Sequence, residues 1–512
     1  MMLKTWRDKM SIPEKRLLDT LIRFFGRDQV LTAVEHLYVY SHSGKFGVES
    51  KLLPLAVLKL NSDIEITHLE ELLKDTDIQV IRNNEGSKEP DIQRPYILLD
   101  VQKPITITEL ERNISQLNEE KLTQKDYLKQ AKSFQHWMVS FLQNKDGFQL
   151  SRTKNDSGFC VVQSYFNDIQ SYSAKGRLIL SKGLLKDKLA PSKVLIDSLF
   201  SCTSCGQCYD QLSLGVLEIN KAIIKARQCI AEQDCVPKKF DVARDNINEK
   251  GNPMGLEAED RVLWIEEEVE KYPYEHNPVL YWPGCVTSYR LPELITSSCY
   301  ILEKAGYDFG VLGEHEGCCG LILYLSGRWD EAAINARKIV EQLKNVKRLV
   351  TNCAGCYYAF SQVFAQLEVQ VPFEVLHMSQ IIKASIKNEK LGLKELKGNY
   401  TWHDPCDLGR HCNVYEPPRF VLKSIPGLNL VEPSLTQEHT VCCGAGGGLW
   451  MYNEEATNYV SHQKILEDIP SNIDGIITGC PTCILSLRRT ASEVTPDLKI
   501  WDIVEIVNKC LK

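Results

Sequence analysis

The sequence predicts an α/β chain: an α+β N-terminal region, a helical module around a three-cysteine loop, and two successive α/β repeats. Three observations lead there. One cysteine pattern occurs twice at nearly equal spacing, as Cys285, Cys318-Cys319-Gly320 and Cys353-Ala354-Gly355-Cys356, then as Cys406, Cys442-Cys443-Gly444 and Cys480-Pro481-Thr482-Cys483. Around each copy short apolar strands alternate with helical pattern, as parallel sheets with crossover helices require. Upstream lies Cys202-Thr203-Ser204-Cys205-Gly206-Gln207-Cys208, followed by helical periodicity from Val216 to Cys229.

In chain order, residues 1–145 form the first unit and hold no cysteine. Glu14 to Phe25 reads as a helix, because Leu17, Leu18, Leu21, Ile22 and Phe25 fall on one face. Gln79-Val80-Ile81 and Tyr96-Ile97-Leu98-Leu99 read as strands. Leu110 to Leu142, rich in Glu, Lys and Gln, reads as a connecting helix. Residues 146–275 form the helical module and its linker, with Cys160, the three-cysteine loop and a looser stretch through Asn246 to Gly255. The repeats span 276–398 and 399–512, joined by the polar segment Lys387 to Asn399. Each opens with a strand that runs into a cysteine, Val279 to Trp282 before Cys285 and Tyr400 to Trp402 before Cys406. Each continues with a helix, a Cys-Cys-Gly loop, a helix and a buried strand, Arg348 to Val350 or Gly475 to Ile477, which delivers a CxxC. A last β-like run follows, Phe373 to His377 or Leu498 to Asp502. Loops at the carboxyl ends of parallel strands are where open α/β sheets bind ligands.

Composition narrows the class. The 512 residues, 43% hydrophobic and 25% charged, are those of an ordinary globular protein. A net charge of −7 gives no electrostatic reason to expect nucleic acid. No apolar run approaches the roughly 20 residues that span a bilayer. The best, Leu52 to Leu58, is short and contains Pro54, and the opening MMLKTWRDKM has no apolar segment of signal type. The expectation is a cytoplasmic protein, at most peripheral to the inner face of a membrane. Nineteen cysteines that include adjacent pairs fit a reducing compartment and metal ligation better than disulfides.

The spacing of the thiols indicates their chemistry. Thiolate is the usual protein ligand of iron–sulfur iron. C-x2-C-x2-C wraps three thiolates around one face of a [4Fe–4S] cube, as in ferredoxins, whose motif continues to a fourth cysteine followed by proline. Here Leu212 and Ser213 take those places. A single cube is expected, with its fourth thiolate from Cys160; a buried structural cysteine is the alternative reading there. Each repeat offers five thiolates, Cys285, Cys318, Cys319, Cys353 and Cys356 or Cys406, Cys442, Cys443, Cys480 and Cys483. A surplus ligand and a vicinal pair suit a cluster that departs from a simple cube, or a site with an exchangeable ligand. Zinc, which takes four ligands in compact pairs, accounts for neither.

Gly317, Gly320, Gly444, Gly446, Gly447 and Gly448 are expected to allow backbone to approach a bulky cluster. The run from Gly444 to Gly448 lacks the Lys and Ser/Thr of a phosphate loop. His403, Asp404 and His411 flank Cys406 as tuning groups, against the plainer reading of satisfied structural polar residues. Cys229, Cys235, Cys299, Cys412 and Cys510 belong to no pattern, and His377 has no neighbour that makes it a ligand.

The stretches YWPGC, EGCCG and NCAGC, then WHDPCDLGRHC, VCCGAGGG and TGCPTC, resemble the CCG-domain (cysteine-rich) iron–sulfur oxidoreductases. That family includes the cysteine-rich subunits of heterodisulfide reductase, the glycolate oxidase iron–sulfur subunit and the third subunit of anaerobic glycerol-3-phosphate dehydrogenase. CTSCGQC, YSAKGRLILSKGLL after Cys160, and GNPMG followed by RVLW resemble the family's ferredoxin-like module and linker. The family usually carries two complete ferredoxin motifs; here the first is reduced to Cys160. The resemblance implies a helical ferredoxin-like [4Fe–4S] module followed by two pseudo-symmetric CCG α/β repeats. It implies one [4Fe–4S] cluster and two further iron–sulfur clusters, for which the five-thiolate sets leave a non-cubane form and an exchangeable ligand both open. Arg16 to Ser41 resembles the start of a flavin-linked oxidase domain, but Arg82-Asn83-Asn84-Glu85-Gly86 stands where its glycine-rich loop belongs. Residues 1–145 are therefore expected to be a remnant or docking domain without bound FAD.

Two functions follow from the resemblance. One is an electron-transfer subunit that passes electrons from a flavoprotein dehydrogenase, acting on a 2-hydroxy acid or similar substrate, to a quinone or soluble carrier. The other is a catalytic subunit that cleaves a disulfide at the CCG clusters.

Overall fold

The computed structural model describes residues 12–25, 29–42, 54, 56–60, 66, 69, 73, 78–82, 96–101, 160–208, 216–262, 270–275 and 277–512. They divide into two compact units. The connecting helix read over 110–142, Leu212, and the segment 83–86 lie outside the described residues.

The first unit holds the N-terminal region and Asp168–Ala190. The helix Ile12–Phe25 forms as its apolar spacing predicts. Four strands, β1 (Val30–Leu31), β2 (Ala56–Leu60), β3 (Gln79–Arg82) and β4 (Tyr96–Val101), lie in the order β1-β2-β4-β3. The β2–β4 and β3–β4 pairs are parallel, and only the short β1 runs antiparallel to its neighbour. The described sheet is thus mostly parallel, where the sequence reading was α+β. The physical reason is the uniform burial of β2, which a strand covered on both faces requires.

The second unit, Cys160–Asn167 with Pro191–Lys512, carries all the patterned cysteines. Its eight strands are β5 (Val279–Tyr281), β6 (Phe309–Val311), β7 (Arg348–Thr351), β8 (Glu374–His377), β9 (Gly398–Trp402), β10 (Leu428–Leu430), β11 (Gly475–Thr478) and β12 (Lys499–Asp502). They make two parallel sheets ordered β6-β5-β7-β8 and β10-β9-β11-β12, the same order in both repeats. The edge strands β6 and β10 escaped the sequence reading, because three residues interrupted by Gly310 or Asn429 show no periodicity.

Four helices, Glu293–Lys304, Met378–Lys387, Glu416–Lys423 and Ile503–Cys510, join the repeats through a shared core. Ile295, Ile381, Leu422 and Val507 sit in it, each worth about 1.5–3 kcal/mol of burial. Two of these helices begin at capping boxes, His377 with Gln380 and Asp502 with Glu505, which satisfy the first free backbone amides. Among the described residues no helix is long and apolar enough to cross a membrane.

Candidate iron–sulfur site

Strands β7 and β11 each end at a CxxC whose first cysteine caps the next helix. Cys353 precedes the helix Ala354–Tyr358 and accepts from the Cys356 amide at 3.5 Å. Cys480 precedes the helix Pro481–Val494, where proline costs no hydrogen bond. Sulfur at a helix N-terminus is stabilised as thiolate. In the vicinal pairs, the Gly320 and Gly444 amides reach back to Cys318 Sγ and Cys442 Sγ at 3.4 and 3.3 Å. The Ser204 amide does the same for Cys202 Sγ at 3.4 Å.

The sulfurs of each repeat come together. Cys285 Sγ lies 3.9 Å from Cys318 Sγ. Hydrogen bonds from Cys318 and Cys356 hold Cys319 down at about 6, and burial works against them. In the second repeat Cys442 and Cys483 hold Cys443 well below the usual thiol range. Cys406 and Cys483 give up hydrogen to their neighbours and are pushed up, with burial adding to the effect. In both copies the second cysteine of the pair receives hydrogen from two neighbouring thiols and is held low. One cavity of about 120 Å³ is lined by all five cysteines of the first copy and by Cys406, Cys443, Cys480 and Cys483 of the second. Leu321, Ile322, Trp450 and Met451 give it apolar walls. Asp407 is its one carboxyl, pushed by burial to about 6.

The upstream loop gathers four sulfurs. Burial raises the Cys208 thiol, and the charges of Cys205, Cys202 and Cys160 raise it further. Cys160 reaches this set as the cap of the helix Val161–Tyr165, which packs on the helix Glu454–Gln463. Clustered sulfur donors and backbone amides aimed at sulfur fit iron–sulfur groups.

This loop is locked onto the second repeat. Arg410 donates from Nε to the Cys205 carbonyl at 2.6 Å, and His411 Nε2 meets the Ser204 carbonyl at 2.8 Å. Cys442 is held low by hydrogen bonds from Cys205 and Cys406, so sulfur meets sulfur across the junction. The buried Arg227 guanidinium forks to four carbonyls, those of Leu199, Cys202, Leu325 and Gly447, at 2.7, 2.8, 2.7 and 3.2 Å. The glycine run has a neighbour the sequence reading did not foresee. A Cβ at Gly446 would sit 2.6 Å from the Thr203 carbonyl oxygen, and one at Gly447 2.3 Å from that of Cys202. Protein backbone from the upstream loop fills the space these two glycines leave open.

The flanking polar residues divide. Asp404 takes both Arg419 guanidinium nitrogens at 2.7 Å, the Trp402 indole and the Gln437 amide, which outweigh burial and hold its carboxyl low. It is a structural anchor. His411 stacks on Tyr358 and fixes the upstream loop. His403 is different: it is buried, and burial with the nearby Lys464 charge lowers it to about 3. Both its ring nitrogens lack a hydrogen-bond partner. Cys299 and Cys510 lie in the apolar core, away from the site.

Sequence reading missed two groups. Buried Glu316 takes Arg261 at 2.6 Å and the Gly284 amide at 3.0 Å, which fixes the loop before Cys285. His377 accepts the Ser379 amide at Nδ1, while its Nε2 lies 3.3 and 3.0 Å from the carbonyls of Asn352 and Gly479. Those residues directly precede Cys353 and Cys480, so one imidazole N–H ties both CxxC loops. Burial lowers His377 from 6.5 to about 4. The folded chain keeps the ring neutral while the unfolded chain protonates it. The resulting stability is complete above pH 6.5 and is lost as pH falls toward 4. Between pH 7.5 and 5 the His377 share of the loss is about 2 kcal/mol. Denaturation midpoints at the two pH values check this: His377→Gln flattens the pH dependence by that amount, and an unchanged slope counts against it.

Comparison with known proteins agrees with this geometry. The family of cysteine-rich (CCG) domains matches residues 279–361 and 400–488. The chain is 30% identical over 363 residues to a subunit of the dihydromethanophenazine:CoB–CoM heterodisulfide reductase of Methanosarcina acetivorans, covering 68% of this chain and 85% of that protein. It is 31% identical to the probable iron–sulfur-binding oxidoreductase FadF of Bacillus subtilis, over 61% of this chain and 46% of that protein. It is 28% identical to the EtfAB:quinone oxidoreductase of Syntrophomonas wolfei, over 62% of this chain and 47% of that protein.

Proposed function

The chain belongs to the CCG-domain family of iron–sulfur oxidoreductases, and we propose that it is the electron-transfer subunit of an oxidoreductase complex. Cys160, Cys202, Cys205 and Cys208 would hold one [4Fe–4S] cluster. Cys285, Cys318, Cys319, Cys353 and Cys356 would hold a second cluster, and Cys406, Cys442, Cys443, Cys480 and Cys483 a third, each either non-cubane or carrying an exchangeable ligand. Bound clusters supply reversible one-electron chemistry. The chain's own residues bury the sulfurs, aim amides at them and keep the sets adjacent.

The observation that carries this reading is the contact of Cys205 with Cys442, together with the single cavity shared by both repeats. The donor is a flavoprotein dehydrogenase for a 2-hydroxy acid or similar substrate, docked on residues 1–145, which form a domain without FAD. The acceptor is a quinone or a soluble carrier, a class supported by the name of the Syntrophomonas wolfei relative. Residues 146–275 form the ferredoxin-like module, and the repeats at 276–398 and 399–512 are pseudo-symmetric halves.

A second reading rests on the cavity. Its apolar walls, nine cysteines and single carboxyl suit a disulfide, which takes up two electrons and two protons to give two thiols. The name of the Methanosarcina acetivorans relative supports that substrate class.

Anaerobically purified protein is expected to hold about twelve iron atoms in three clusters. Cys202→Ser removes about a third of the iron and leaves the other spectroscopic signals in place. Loss of all iron from a folded variant defeats the modular assignment. Identifying the flavoprotein that co-purifies, and assaying quinone and disulfide reduction, separates the two readings.

A further inference from the structure

One of the matched positions at which the two repeats differ lies just past the strand beside each CxxC strand. In the first, Tyr281 pairs with Val350, and the next residue, Trp282, donates its amide to the Val350 carbonyl at 2.8 Å. In the second, Trp402 pairs with Ile477, and His403 donates its amide to the Ile477 carbonyl at 2.8 Å. Trp282 and His403 therefore occupy the same place, at the end of the strand beside the CxxC strand. An indole offers only an N–H, whereas a neutral imidazole offers an N–H and a lone pair.

His403 is 1% exposed, and neither ring nitrogen has a hydrogen-bond partner. A buried imidazole with nothing to bond is costly and calls for an explanation. The charged side chains around it are largely committed elsewhere, although Asp468 Oδ1 and Arg410 Nη2 have no partner of their own. Asp404 is held by Arg419, Lys464 by Asp468 at 2.5 Å, and Arg410 by the Cys205 and Thr440 carbonyls. What His403 does face is sulfur: one ring nitrogen, Cys443 Sγ and Cys483 Sγ all lie within 4.8 Å of one another. The backbone holds the ring there, since the Thr478 hydroxyl donates to the His403 carbonyl at 3.1 Å.

We propose that His403 is a ligand of the second site, its imidazole nitrogen sharing the iron–sulfur group with Cys443 and Cys483, while the first site is held by sulfur alone. This rests on the reading that the second cysteine set holds a cluster. It makes the sites chemically unequal, because a neutral nitrogen ligand added beside the five thiolates changes the donor set and the charge around the iron.

The test uses full-length, anaerobically loaded protein grown with [15N]histidine, and reads nitrogen hyperfine coupling by electron–nuclear double resonance. A coupling of directly bound strength is expected in the unsubstituted protein and in His411→Gln. It should be lost in both His403→Gln and His403→Trp, the second of which installs the residue of the first repeat. Two variants guard against misfolding in one. A filled second site without that coupling, or a coupling that survives in His403→Gln, overturns the ligand assignment alone. Absence of iron from the second site overturns the underlying cluster reading instead.

Discussion

Cys443→Ser empties the second site and lowers turnover with the natural donor and acceptor by at least about 100-fold, the upper end of what losing even an outer-shell partner costs. Cys443 is the residue on which its set converges. Cys442 and Cys483 both direct hydrogen to it, the Ala445 amide adds to them, and Ser486 fixes its carbonyl at 2.8 Å. Serine keeps the shape but gives up the thiolate that iron requires. Cys319→Ser is expected to do the same to the first site, since Cys318 and Cys356 converge on Cys319. In each variant the other repeat keeps its signal. Paramagnetic resonance of each site beside steady-state rates is the check, and full turnover in either variant would show that its site is dispensable.

Arg227→Met destabilises the second unit by several kcal/mol, since a hydrogen bond to a charged group contributes about 1.5–3 kcal/mol and each carbonyl left unsatisfied costs about 1–3 kcal/mol. The arginine is buried, forks to four carbonyls and lies over the Phe200 ring at 4.9 Å. Methionine fills much of the volume but leaves those carbonyls without their donor. Arg227→Lys recovers less than half of the loss, because an ammonium cannot serve a planar fork. Chemical denaturation of the loaded protein measures both, and a variant within about 0.5 kcal/mol of the parent would refute the role.

The grouping of the cysteines was legible because their spacing follows the strands that carry them. Cys353 and Cys480 follow buried apolar runs, and chain alternation alone places them at the carboxyl ends of β7 and β11. The helix Ile12–Phe25 and the strands β3, β4, β5, β7, β9 and β11 were legible from their apolar runs, whereas β2 went unread and the helix Lys238–Lys250 runs into the stretch from Asn246 that the sequence reading took as loose. What stayed hidden depends on partners distant in sequence. His377 meets a carbonyl 102 positions away, and Arg227 one 220 positions away. No local pattern announces such a pair. The glycine run announced a close approach but not what approaches. His403 was visible as a candidate beside Cys406, whereas its orphaned ring and its correspondence with Trp282 emerge only from strand register.

The seating of Cys202 and Thr203 against Gly446 and Gly447 sets a rule for building chimeras. The sequence invites a cut near residue 275, as though the upstream module were a cassette. The structure puts the real seam elsewhere. In this chain a residue larger than glycine at 446 or 447 would put its Cβ 2.6 Å from the Thr203 or 2.3 Å from the Cys202 carbonyl oxygen, so a borrowed module must seat its loop against glycine at both places. Residues 202–208, Arg227 and the run from Gly444 to Gly448 must therefore be transplanted together, although more than 200 positions separate the first of them from the last.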